Sequence, residues 1–363
     1  MAEIDSNVQP AVEALEEALS GESMGHKLRR TLGFRNISAI WIMIGIVVVF
    51  SAIIPQKFLQ AGVWRSLLDA NAVTGITALA LIIPLAAGVF NLAIGIQVGA
   101  GSIFIGWLLV NMGMSVPVSL VLAGVFGVLI GLVTAWLIVR IRIDSFIATL
   151  GVSSLLAAFI TAISSGRQIL GLPESFAKFG IASIAGITFP VIALIVVAFI
   201  VWYLLERTPS GRRVYATGGN IEAARLSGIN TSAVIYGSLA ACGLLTALGG
   251  VVLSAKLANA DPTVGPGYLV PAFTAAFLGS TQFKQGRFNV WGTMVSVFVL
   301  ALGVKGLQLW GAPPWISDAF NGFSLLVAVG LAKFQRNNES FKAIRRTLRM
   351  DKPPVAAVVS PPG

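Results

Sequence analysis

In 363 residues there is one cysteine, Cys242, and one histidine, His26. A structural zinc site needs about four Cys/His ligands, so the chain has no set of residues for one and no metal is expected. Cys242 lies in an apolar run and reads as a small buried hydrophobe. His26 stands among Lys27, Arg29 and Arg30, outside any apolar span, which is no place for the base of a catalytic triad. G-x-S-x-G occurs once, as GESMG (21–25) in the segment ahead of the first apolar span, and G-x-x-x-x-G-K-[ST] does not occur, so no phosphate-cradling loop is expected. No catalytic residue is assigned, an enzyme is not expected, and any ATP used must be hydrolysed by another chain. The stretch whose residue types are arranged for a task is 206–232, ERTPSGRRVYATGGNIEAARLSGINTS. Asn220 is a good N-cap, Glu222 falls in the first turn, and Ala223 and Ala224 favour helix. Arg225 sits three residues from Glu222 near the carboxyl end, and Gly228 is a natural stop. Such a short helix is not stable alone and calls for a docking partner. Leu226 and Ile229 would anchor that partner, with Glu222 and Arg225 as a charged rim.

The elements that must position this loop are apolar. Hydrophobic residues make up 56% of the chain and charged residues 11%, less than half the roughly 25% usual for a soluble domain. Lipid is therefore the main solvent, and the expected fold is all-α and polytopic. Ten candidate spans fall at 37–54, 66–83, 86–110, 118–139, 145–165, 187–205, 233–255, 268–281, 289–309 and 317–332. The third, rich in glycine from Gly88 to Gly106, and the short eighth, which follows Gly265-Pro266-Gly267, are the least regular. Irregular backbone at membrane depth lines a cavity or is buried in protein, whereas pairs such as Gly95/Gly99 and Gly127/Gly131 also suit close helix packing.

With both termini cytoplasmic, 19 of the 25 basic residues fall inside and five outside, with Lys305 in or near a span. This is the positive-inside bias and explains a net charge of +10 without nucleic acid. Three regions result: a cytoplasmic segment 1–36 with a short acidic helix over 10–20, a transmembrane domain 37–332 with the loop 206–232, and a basic tail 333–363.

The run GRRVYATGGNIEAARLSGIN (211–230) resembles the coupling loop of permease subunits of bacterial ATP-binding-cassette importers. It is similar in particular to the ribose/xylose/arabinose-type sugar permeases, which are related to the branched-chain amino-acid permeases. SFIATLG (145–151), GPGY (265–268) with AAFLGST (275–281) and GR (286–287), WGT (291–293) and GLQL (306–309) agree with the family's segments. The match departs where the family has G-I-D-L-S-V-G-S and this chain has VFNLAIGI (89–96), so that Asn91 replaces a carboxylate. Asp144 stands in place of a proline, and Lys305 in place of an asparagine.

The resemblance implies a permease subunit in the bacterial inner membrane, importing a small polar solute such as a monosaccharide or related polyol. Its partners would be cytoplasmic ATP-binding subunits, a second permease copy (identical or paralogous) and an extracytoplasmic solute-binding protein. ATP and Mg would be bound by the ATPase partners and no cofactor by this chain. Gly219, Asn220, Glu222, Ala223, Ala224, Arg225, Leu226 and Gly228 would couple to the ATPases. Asn91, Gln97, Phe146, Thr149, Tyr268 and Gln308 would line the translocation path. The same importer class with an amino-acid or nucleoside solute stays open. So does an ion-coupled secondary carrier, for which Asp69, Lys305 and Asp318 would be the ionisable residues.

Overall fold

The computed structural model describes residues 38–331 apart from 185, 284 and 285. The acidic helix expected over 10–20 and the basic tail 333–363 lie outside the described residues. The described chain is helical, with one two-residue antiparallel hairpin, β1 (Ser183–Ile184) against β2 (Ile187–Thr188). Among the described residues six helices are long and apolar enough to cross a membrane: α3 (Ala61–Ala86), α5 (Val116–Val139), α6 (Ser145–Ser164), α8 (Phe189–Trp202, continued by a π turn to Arg207), α11 (Thr231–Leu257) and α13 (Val290–Leu309). Shorter apolar helices are α1 (Ser38–Ile53), followed by the one-turn α2 (Pro55–Phe58), α4 (Ile94–Val110) and α14 (Trp315–Leu331). The remaining elements are α7 (Glu174–Ile181), α9 (Pro209–Gly219), α10 (Ile221–Leu226) and α12 (Leu269–Ser280).

Two expected spans take a different form. The segment 86–110 is not one helix: α3 runs on to Ala86, residues 87–93 are non-helical with Gly88 at φ +83°, and α4 begins only at Ile94. The segment 268–281 is a half-length helix. After a 3-10 turn over Gly265–Tyr268, α12 has 12 residues, about 18 Å, against a hydrocarbon core of about 30 Å.

Helices α3 and α11 form the buried centre, and α5, α6 and α8 carry apolar side chains on the outside. Val121, Val125, Leu129 and Val133 on α5 and Ile147 and Leu155 on α6 are all exposed. Stripes of this size are stable against hydrocarbon rather than water. The centre is held by close backbone approach. At the α5–α11 crossing a Cβ on Gly131 would collide with the Leu239 carbonyl, and Gly127 and Gly243 meet carbonyl to backbone. Gly95 and Gly99 of α4 lie against Gly265, and Ser102 on α4 hydrogen-bonds Ser254 on α11 at 2.7 Å. Gly95, Gly99, Gly101 and Gly106 of the third segment thus serve packing.

Candidate functional site

Three places bring polar chemistry into this apolar frame. The first is the loop between α8 and α11. Thr208 at the N-cap and Pro209 at the first helical position start α9, a helix that the loop's polar composition masks. Then Asn220 caps α10 through its side-chain oxygen, which accepts from the Glu222 N–H at 3.1 Å and the Ala223 N–H at 3.0 Å. At the other end Gly228 adopts φ +80°. Its N–H donates to the Arg225 carbonyl at 3.0 Å, and the Ile229 N–H donates to the Ala224 carbonyl at 3.0 Å, a Schellman closure. Asn230 then caps α11 by accepting from the Ala233 N–H. Glu222 and Arg225 pair at 2.8 Å with both side chains largely exposed, so the pair adds less than about 1 kcal/mol. Ala224 is buried against the body, while Leu226 is 85% exposed and Ile221 also faces out. A helix of six residues is therefore capped at both ends and presents an apolar residue beside a charged rim.

Helix α9 ties α10 to the bundle. Gly218 rests on the Ala86 carbonyl at the end of α3, so a Cβ there would collide with it. The Tyr215 hydroxyl donates to the Phe288 carbonyl at 2.6 Å, just ahead of α13, and the Arg287 guanidinium lies 3.9 Å over the Tyr215 ring. Burial pushes the Tyr215 phenol up to about 12, against the opposing pull of Arg287, so it donates throughout the neutral range. Asn289 caps α13 by accepting from the Gly292 N–H at 2.7 Å, and its amide donates to the carbonyls of Gly279 and Gln282. Helix α10 thus has short connections to α3, α12 and α13.

The second place is a buried polar cluster where α4 begins. The Asn91 amide donates to Gln97 Oε1 at 3.1 Å and to Cys242 Sγ at 3.4 Å, and its oxygen accepts from the Ala93 N–H. Thr149 Oγ1 accepts from the Leu92 N–H at 3.1 Å, joining α6 to the break. Phe146 stacks on Phe90 at 4.5 Å and is partly exposed. Gln97 Nε2 is buried with no hydrogen-bond partner among the described residues. Of the six expected path residues, Asn91, Gln97, Phe146 and Thr149 come together here. Tyr268 packs at the edge of the main core, where the 3-10 turn meets α12.

Gln308 belongs to the third place. A cavity of about 230 Å³ lies among α3, α12, α13 and α14, and its polar lining comes from Ser66, Asn71, Thr74, Lys305, Gln308 and Asn321. The Gln308 amide donates to the Ser317 hydroxyl at 3.3 Å. Asn71, Thr74 and Asn321 were not among the expected residues. The spacing of Asn71 and Thr74, and of Lys305 and Gln308, at i and i+3 on otherwise apolar helices was the available signal. Asp69, on the neighbouring turn of α3, is engaged elsewhere. It pairs with Lys256 at 2.9 Å, accepts from the Thr188 hydroxyl at 2.7 Å, and gives its carbonyl to the same ammonium.

Comparison with known proteins follows the same lines. The family model described as "Branched-chain amino acid transport system / permease component" matches residues 65–329. The ribose import permease protein RbsC of Bacillus subtilis (strain 168) is 31% identical over 78% of this chain and 88% of its own length. The protein of the same name from Escherichia coli (strain K12) is 31% identical over 81% and 92%. The autoinducer 2 import system permease protein LsrD of Salmonella typhimurium is 30% identical over 70% and 78%. No solved structure matches the chain significantly.

Proposed function

The chain belongs to the family of branched-chain amino acid transport system permease components, and from that premise we propose that it is the membrane-spanning subunit of an ATP-binding-cassette importer for a monosaccharide or related polyol. The relatives named for ribose and autoinducer 2 import favour a small oxygen-rich solute over an amino acid. In this reading two permease copies, identical or paralogous, sit together in the inner membrane with both termini cytoplasmic. A solute-binding protein delivers from the far side, and two ATP-binding subunits dock on α10 and supply ATP and Mg.

The observation that carries the reading is the capped helix α10 with Leu226 exposed beside the Glu222–Arg225 rim, joined through α9 to the ends of α3 and α13. ATP binding closes the partner subunits, α10 moves with them, and α9 hands the displacement to the spans. The cycle requires only that the ATPases bind the outward and inward states with different free energy. Of the ionisable residues an ion-coupled carrier would use, Asp69 is committed to Lys256. The test is deletion of 220–228, or Glu222→Lys, in vesicles reconstituted with the ATPases and the delivery protein. Membrane insertion is expected to persist and ATP hydrolysis to continue without uptake. Uptake at the normal rate by the deletion would sink the proposal, as would wild-type uptake that ignores ATP and collapses with an ionophore.

A further inference from the structure

Two lysines lie toward the ends of long helices on the side of the bundle away from α9 and α10, and their surroundings differ. Lys256, near the end of α11, is held by the Asp69 carboxylate at 2.9 Å and the Asp69 carbonyl at 2.7 Å. Lys305 stands little more than a turn before the end of α13, roughly 24 Å along that helix from Asn289. No described carboxylate, Asp318 included, lies within ion-pairing distance of it. It lines the polar cavity instead, half-buried and among neutral side chains: Asn71 and Thr74 across from it on α3, Gln308 on its own helix, Asn321 on α14.

A lone ammonium among apolar helices is costly, and in a membrane protein such a residue marks a solute or ion pathway by default. The cavity supplies the rest of a recognition set. Hydroxyl and amide groups exchange hydrogen bonds with solute hydroxyls, and the ammonium has three donors and no acceptor. A charge-assisted bond from ammonium to carboxylate or phosphate is roughly twice as strong as a neutral one. Lipid headgroups offer the same anionic chemistry, but Lys305 shares its cavity with side chains from three helices rather than reaching along an open helix face.

We propose that Lys305 selects the solute, and that the imported molecule is a hydroxyl-rich compound carrying one anionic group, a sugar acid or a sugar phosphate, held on its way through the cavity between α3, α13 and α14. This rests on the importer reading above and narrows its solute class. Lys305 acts as a specificity residue, contacting the anionic group while Asn71 and Gln308 meet the hydroxyls.

The test uses the permease with its ATP-binding subunits in nanodiscs, without the delivery protein, and measures equilibrium retention of radiolabelled ribose, ribonate and ribose 5-phosphate. Wild type is expected to retain ribonate or ribose 5-phosphate about tenfold more than ribose, and the better of the two identifies carboxylate or phosphate. Lys305→Gln and Lys305→Asn should reduce the acid to the level of ribose, and Lys305→Arg should keep most of the preference. The wild-type panel reads the proposal without any variant, so a misfolded variant does not mask the answer. Equal retention of all three compounds by wild type overturns the inference, and so does a preference that survives Lys305→Gln. Loss of the acid preference when phosphatidylcholine nanodiscs are replaced by phosphatidylglycerol would assign Lys305 to lipid headgroups and also overturn it. The importer reading is judged separately, by whether wild-type vesicles take up the delivery protein's solute only with ATP.

Discussion

The end of the bundle that carries α9 and α10 and the opposite end are built on different physical terms. At the end with α9 and α10, the contacts named above close on backbone carbonyls and a helix N-terminus. Gly218 lies on the Ala86 carbonyl, Tyr215 bonds the Phe288 carbonyl, and one asparagine, Asn289, satisfies a helix N-terminus and two loop carbonyls at once. At the opposite end, long side chains meet across space. Lys256 reaches Asp69, Gln308 reaches Ser317, and a polar cavity remains between four helices. Contacts through backbone and short side chains have few rotamers to absorb a displacement, so they transmit it. Contacts through flexible side chains can open and re-form around water or solute. In the reading proposed above, the first kind suits the end where force arrives and the second the end where cargo passes.

Substitutions that soften the stiff end or stiffen the soft one break this contrast. The largest effect is expected from Gly218→Val, whose side chain must displace the Ala86 carbonyl. It should lower ATP-driven uptake at least about tenfold while hydrolysis persists, and overpacking should cost about 1–3 kcal/mol in thermal unfolding of the detergent-solubilised protein. Asn289→Ala removes a cap and leaves buried carbonyls unbonded, for about 2–4 kcal/mol by the same measurement, with coupling loosened. At the soft end Asp69→Asn breaks the half-buried pair but keeps an acceptor for Thr188. A loss of about 1 kcal/mol is expected, with uptake less affected than in Gly218→Val. Tyr215→Phe should cost about 1 kcal/mol or less at neutral pH. The alkaline limb sharpens this last case. A phenol with its folded pKa at about 12 resists the ionisation that the unfolded chain undergoes near pH 10. Its contribution is therefore complete below about pH 10 and falls as pH rises toward 12. Unfolding curves across that range should be flatter for Tyr215→Phe than for wild type.

Features set within a few residues were legible in the sequence. Asn220 and Gly228 lie eight positions apart and fix both ends of α10, and the apolar runs locate the long helices. Less legible was anything decided by which surface a residue meets. Whether Gly95, Gly99 and Gly106 open a path or admit a neighbour depends on Gly265 and Ala260, more than 150 residues away. Helix α9 carried its Thr208-Pro209 start signal, but its seat on the bundle, Gly218 against the Ala86 carbonyl more than 130 residues away, is one that no local pattern reveals. Among the expected path residues, nearness in sequence grouped Asn91 with Gln97, while the fold separates Gln308 from both by placing it on the wall of a polar cavity.

The crossing of α5 on α11 has a mechanical consequence. Where Gly131 meets the Leu239 carbonyl and Gly127 meets Gly243, no layer of side chains lies between the two helices to act as a lubricant. Sliding by a fraction of a turn would drive Cβ atoms into carbonyls, so shear along this seam is blocked and the pair is expected to move as one rigid unit. Any hinge is then expected in the irregular segments of the bundle, residues 87–93 ahead of α4 and 258–268 ahead of α12.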